Sequence, residues 1–160
     1  MQQEIVYLGL GSNIGNSKHI LQKACKSITL LPNSTAFHFS SIYRTSPISS
    51  ILQRDYLNLT CSFTTTLDPL TLFAYLEQIE KSLGKIPKPK EAPRKIDIDI
   101  LYFGDRILHS ERLILPHPKI KERLFVLQPL LELTDNLTDI PNLKEYVTTL
   151  NTPYKVKLCS

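Results

Sequence analysis

Residues 56–66 alternate strictly: Leu57, Leu59, Cys61 and Phe63 fall on one side of an extended chain, Tyr56, Asn58, Thr60 and Ser62 on the other. Strand side chains point to opposite faces with a period of two. This segment is therefore a strand with one apolar face to bury, which requires a covering layer, and one polar face left for other use. Two stretches supply the cover. From Ser17 onward Ile20, Leu21, Ala24, Ile28 and Leu31 recur at helical spacing, with Ser17 as the expected N-cap and Pro32-Asn33 as the stop. Asp68-Pro69 opens a second helix bearing Leu72, Phe73, Leu76, Ile79, Glu80 and Leu83, and Gly84 ends it.

Further strands are expected at residues 5–10, 35–43 and 95–103, with a short one at 106–109. Short helices are expected around 125–133 and 143–150. The order β-α-β-β-α-β predicts an α+β fold, a ferredoxin-like sandwich with a C-terminal extension. The 160 residues, 42% of them hydrophobic, suit one domain over 1–160 with one core. A charged fraction of 21% beside that apolar content excludes a disordered chain. The longest apolar runs fall well short of the roughly 18 residues a membrane-spanning helix needs. Three widely spaced cysteines, Cys25, Cys61 and Cys159, form neither a disulfide framework nor a zinc pattern, which predicts a reducing, cytosolic setting.

The net charge of +4 is local. Lys85, Lys88, Lys90, Arg94 and Lys95 against Glu91 give 5 − 1 = +4, so the rest of the chain sums to zero. A diffuse nucleic-acid surface would spread its charge, so the expected target is a local anion. With prolines at 87, 89 and 93, this loop is expected to be exposed and mobile.

Immediately after the loop stand Asp97 and Asp99, two carboxylates on one strand face, roughly 6.5–7 Å apart from the rise per residue. Two readings fit them. One is the solvated face of an edge strand; the other is a site for one or two divalent ions beside phosphate oxygens, as in phosphoryl transfer. Leu101 and Phe103 are expected on the same face. Tyr56 and Asn58 set an aromatic plate beside an amide, suited to a flat heterocycle or simply half-exposed. His117 between Pro116 and Pro118 is held in a rigid extended turn. Gly9, Gly11 and Gly15 lack the spacing of a phosphate loop and read better as points of close backbone approach. A nucleic-acid module would not present acids on its binding strand; a non-catalytic small-molecule binder stays open.

These residues resemble the 6-hydroxymethyl-7,8-dihydropterin pyrophosphokinase family over nearly everything up to about residue 133. The resemblance rests on Leu10-Gly11-Ser12-Asn13, Tyr43-Arg44-Thr45-X-Pro47, Asp55-Tyr56-Leu57-Asn58, Ile79-Glu80 with Gly84, Pro93-Arg94-X-Ile96-Asp97-Ile98-Asp99-Ile100, Phe103-Gly104, Pro116-His117-Pro118 and Arg123-X-Phe125-Val126-Leu127-X-Pro129-Leu130. It implies ATP-dependent transfer of pyrophosphate to the pterin hydroxymethyl group with release of AMP, in folate biosynthesis. It further implies a monomer acting on small molecules in the cytoplasm, without nucleic acid or membrane partners. Asp97 and Asp99 would bind two Mg²⁺ ions. Tyr56 and Phe125 would sandwich the pterin, while Asn58 and the chain at Thr45, Pro47 and Ile48 bond its edge. His117, Arg112 and Arg123 would contact ATP, Ile100 would lie beside the adenine, and Glu80 would serve the ATP site or support the loop. Arg94 and Lys85 would act on the phosphates. The chain departs from the family where Lys90-Glu91-Ala92-Pro93-Arg94 replaces a common Arg-Trp-Gly-Pro-Arg, where Lys85 replaces an arginine, and where Glu77 replaces a common glutamine.

Overall fold

The computed structural model describes residues 2–47, 52–89 and 92–159. Strand β1 (Glu4–Ser12) leads into helix α1 (Ser17–Ile28), β2 (Ser34–Phe39), β3 (Tyr43–Thr45), β4 (Tyr56–Thr65), helix α2 (Pro69–Ser82) and β5 (Asp97–Phe103). A small hairpin, β6 (Leu108–His109) and β7 (Ile114–Leu115), precedes α3 (Leu124–Leu130), α4 (Leu143–Thr149) and β8 (Val156–Leu158). The main sheet runs β5-β1-β4-β3-β8, with β2 also on β4, and its pairs are antiparallel.

The alternation of β4 does what its period predicts. Leu57, Leu59, Cys61 and Phe63 enter one core with Ile20, Leu21, Ala24 and Ile28 of α1 and Leu72 and Leu76 of α2. The opposite face is covered by the C-terminal third, where Val126, Leu127, Leu130, Ile140 and Leu143 form a second cluster. Asn58, Thr60 and Ser62 are thus buried, not half-exposed. The helix ends are satisfied locally: the Asp68 carboxylate accepts the Leu70 and Thr71 N–H groups, and Gly84 adopts a positive φ of 95° just past α2.

Three expectations need correction. The N-cap of α1 is Asn16, whose side chain accepts the His19 N–H; Ser17 is the first helical residue, its hydroxyl bonded to Ser12. The strand expected at 35–43 is two, β2 and β3, both on β4: past Phe39 the Ser40 hydroxyl, not a backbone carbonyl, accepts the Thr60 N–H, and the chain pairs with β4 again only from Tyr43. The irregularity at Ala36 (φ 57°), with its register shift between Thr35 and His38, lies inside β2. The third concerns β5. Tyr7 pairs with Tyr102 but Leu8 pairs with Ile100, so Leu101 is an extra residue in a bulge. One extra residue flips every side chain beyond it. Phe103 therefore leaves the face of the acids and sits fully buried with Ile98 and Ile100, while Leu101 and Tyr102 share the opposite cluster.

Replacing Phe103 with Ala should cost about 3–5 kcal/mol of unfolding free energy, as large-to-small changes of a buried aromatic do. Urea denaturation measures it, and a loss below about 1 kcal/mol would be inconsistent with the bulged register.

Candidate active site

Register sets the site before any side chain is considered. On the face away from α1 and α2, one cross-strand row reads Asp97, Gly11, Asn58, Tyr43, and the next reads Asp99, Gly9, Thr60. The two glycines leave β1 without side chains between the acids of β5 and the amide of β4. The gap is needed at Gly11, where a Cβ would come within 2.9 Å of Asn58 Oδ1; at Gly9 a Cβ would only touch the Leu101 side chain, at 3.4 Å. They form the floor of a cavity of about 370 Å³. Close backbone approach, not a phosphate loop, is their use.

One part of the cavity lining is aromatic and amide-bearing. Tyr56 lines the cavity together with Asn58, whose side-chain N–H₂ donates to Thr45 Oγ1 at 3.0 Å, so Asn58 and Thr45 are pre-set though almost wholly buried. Phe125, from the first turn of α3, faces the same space. Its ring is flanked by the Arg123 guanidinium, 5.6 Å from the centroid, and by the Tyr154 ring, edge-on at 4.8 Å and 77°. Pro47 also lines the cavity, whereas Ile48 lies outside the described residues.

The other side carries charge. Asp97, Asp99, Arg94, His117 and Arg123 all line the cavity. Lys85, placed by the end of α2, bonds Glu80 at 2.8 Å and Asp97 at 2.9 Å. Glu80 projects from the buried face of α2 and also accepts the Ile98 N–H at 2.8 Å. Burial raises the Glu80 carboxyl, against Lys85 and the Ile98 N–H, which lower it. Burial alone would lower the Lys85 ammonium, but two carboxylates outweigh that and raise it. The two directions agree: Glu80 meets one cation and a second anion, while the lysine meets two anions.

Asp99 opens to the water of the cavity yet has protein on nearly every other side. That burial, with Asp97 and Glu80 nearby, pushes its carboxyl up to about 6 against the opposing pull of Arg123 and Lys85. His117 moves the other way, down to about 4, through burial and the charges of Arg123 and Lys119. Its Nδ1 accepts the Lys119 N–H at 3.2 Å, so the imidazole is neutral at pH 7 with its proton on Nε2. His117 is a hydrogen-bond donor here, not a cation.

Among the described residues no group of three or more His, Cys, Asp or Glu converges into an all-protein metal cage. The donor set of two neighbouring carboxylates suits Mg²⁺, which keeps waters and takes one or two carboxylates together with substrate phosphates.

Three predicted nucleotide residues stand apart from the cavity. The Ile100 side chain is buried in the core with α1 and α2. Glu80 does not line the cavity, its carboxylate being taken up by Lys85 and the Ile98 N–H. Arg112 is bound to Glu77 at 2.6 Å and lies over the Phe73 ring. The basic loop divides its work. Arg94 is half-buried, its backbone exchanging bonds with Asn13 (N to Oδ1 2.7 Å, O from N 2.9 Å), whereas residues 86–89 are exposed. Asn13 also donates to Gln53 and to the Arg54 carbonyl, stitching the approaches to β4 and β5 together. Tyr154 was not foreseen: it lies in a stretch without apolar periodicity, and only the pairing of β8 with β3 brings it here.

Paired carboxylates, arginines and a neutral histidine beside an aromatic pair are the equipment of a phosphoryl-transfer site that also holds a flat ring. A family model described as 7,8-dihydro-6-hydroxymethylpterin-pyrophosphokinase (HPPK) matches residues 7–135, and the chain belongs to that family. It is 40% identical over 129 residues to the 2-amino-4-hydroxy-6-hydroxymethyldihydropteridine pyrophosphokinase of Bacillus subtilis, across 81% of this chain and 77% of that protein. It is 37% identical over 133 residues to the bifunctional protein FolKE of Lactococcus lactis, across 83% of this chain but 38% of that one. A solved structure described as HPPK-DHPS in complex with substrates superposes with a TM-score of 0.69 at 15% identity, covering 92% of this chain and 43% of that chain. The chain thus spans about two fifths of the length of these two longer proteins.

The raised Asp99 carboxyl has a consequence for stability. Unfolded, the group releases its proton near 3.8; folded, it holds it to about 6. The folded chain binds more protons between those values, so stability falls as pH rises through the window and stays lower above it. In EDTA, Asp99→Asn should melt at a higher temperature than wild type at pH 7.5, with the difference vanishing below pH 3.8. Equal melting at pH 7.5 would exclude this environment for Asp99.

Proposed function

We propose that this chain transfers pyrophosphate from ATP to the hydroxymethyl group of 6-hydroxymethyl-7,8-dihydropterin, releasing AMP, as a Mg²⁺-dependent step of folate biosynthesis. The observation that carries this is one cavity shared by Tyr56, Asn58 and Phe125 on one side and Asp97 and Asp99 on the other. The pterin ring stacks between Tyr56 and Phe125, and its edge bonds Asn58 and the chain at Thr45 and Pro47. The hydroxymethyl oxygen forms a bond to the β-phosphorus as the bridge between the α- and β-phosphates breaks. AMP leaves with the bridging oxygen, and the hydroxyl proton passes to solvent. Asp97 and Asp99 would hold two Mg²⁺ ions, which when bound neutralise phosphate charge and align the reacting oxygens.

The chain's own residues do the rest. Arg94 and Arg123 face the cavity with charge for phosphate oxygens, and neutral His117 offers its Nε2–H to one of them. Lys85 is carried by Glu80 to Asp97, where it supplies a positive charge without the two-pronged geometry of an arginine. Arg112 serves the nucleotide by exchanging Glu77 for it, and Ile100 through its backbone alone. The strand order, with both long helices on one face, supports a ferredoxin-like reading in which β2 and β3 together act as one strand. Three free thiols favour a reducing cytoplasm, and no helix among the described residues is long and apolar enough to cross a membrane. We read the protein as a monomer acting on small molecules.

Mixing the chain with Mg-ATP and hydroxymethyl-dihydropterin should release one AMP per pterin consumed. Asp97→Asn and Asp99→Asn should each lower kcat by at least about a hundredfold, the scale of losing one charge-stabilising group. No AMP at micromolar enzyme would sink the proposal.

A further inference from the structure

The pterin side of the cavity has a wall that the family match does not reach. That match ends at residue 135, yet Tyr154 lines the cavity beside Phe125. Its ring meets Phe125 edge-to-face, the favoured geometry for two aromatic rings. Tyr154 is itself held in place. Two residues on, Val156 pairs with Thr45, the residue that bonds Asn58; the Cys159 N–H donates to the Ile42 carbonyl at 2.8 Å; and the Tyr154 N–H donates to Thr152 Oγ1.

Phe125 needs such support. It stands in the first turn of a seven-residue helix whose N-cap makes no side-chain bond, and it is only half-buried. A half-buried ring swings between rotamers, and freezing it on binding costs affinity. With the Arg123 guanidinium and the Tyr154 edge against it, the ring is ordered beforehand.

We propose that Tyr154 is a positioning residue of the pterin site, holding Phe125 so that its face is presented to the ring bound against Tyr56. This rests on the functional reading above and extends the site into the C-terminal strand. It makes the β3–β8 pairing part of substrate recognition rather than a closing strand alone. The effect falls mainly on one substrate: Tyr154 meets the Phe125 ring and not Asp97 or Asp99, and reaches the phosphate-facing Arg123 only through that ring.

The test uses the full chain and two ligands, hydroxymethyl-dihydropterin followed by its own fluorescence and Mg²⁺ with α,β-methylene-ATP followed by calorimetry. Tyr154→Ala should raise the pterin Kd about two- to twelvefold, the span of an aromatic pair, and change the nucleotide Kd by less than half as many fold. Tyr154→Phe keeps the edge and should bind like wild type; Tyr154→Leu keeps apolar bulk without a flat edge and should behave like Tyr154→Ala even if the latter folds poorly. Unchanged pterin affinity in folded Tyr154→Leu overturns the proposal, as does equal weakening of both ligands, which would mark a merely structural role. Wild type that binds no pterin overturns the functional reading and this inference together. Wild type that binds pterin but releases no AMP fails the transfer reading alone, and the variants' Kd values still decide Tyr154.

Discussion

Two like charges on neighbouring same-face positions of one strand repel each other, and most of this molecule's functional end can be understood as the management of that repulsion. Asp97 and Asp99 are tolerated because Lys85 sits on the first and Arg123 faces the second. Lys85 in turn is held by Glu80, a carboxylate buried on the sheet-facing side of α2 and bonded to the backbone between the two acids. A helix terminus, a buried acid and an edge strand are thus locked into one unit. Burial first and the neighbouring Asp97 charge second still raise the Asp99 carboxyl, a cost that a cation with phosphate groups is suited to relieve.

Emptiness matters as much as charge. Gly9 and Gly11 stand in the same rows as the acids, and any side chain there would occupy the space between charge and amide. The bulge at Leu101 matters similarly. It lets β5 face the cavity with carboxylates at one end and feed Phe103 into the helix core at the other.

Much of this was legible in the sequence because it rests on local periodicity. The two faces of residues 56–66, both long helices and the shared face of Asp97 and Asp99 follow from spacing alone. Tyr56 with Asn58, and His117 between its prolines, stand out from the residues themselves, Phe125 and Arg123 through the resemblance, and all five line one cavity. What escaped has physical reasons. A bulge adds one residue without a Gly or Pro to mark it, so strict alternation puts Phe103 on the wrong face. The burial of Ile100 was in its pattern, which places it with Ile98. Tyr154 and the Arg112–Glu77 pair depend on contacts between distant parts of the chain, which no local spacing encodes. The +4 loop was visible as charge, but not its division between Lys85 on Asp97 and Arg94 anchored to Asn13.

The central claim is that the acid pair is a cation site completed by the nucleotide's phosphates. Calorimetric titration with α,β-methylene-ATP, in Mg²⁺ and in EDTA, tests it most directly. Binding should be strong with Mg²⁺, much weaker in EDTA, and insensitive to Mg²⁺ once Asp97 or Asp99 is changed to Asn. Equal affinity in Mg²⁺ and EDTA, or full Mg²⁺ enhancement in either variant, would contradict it.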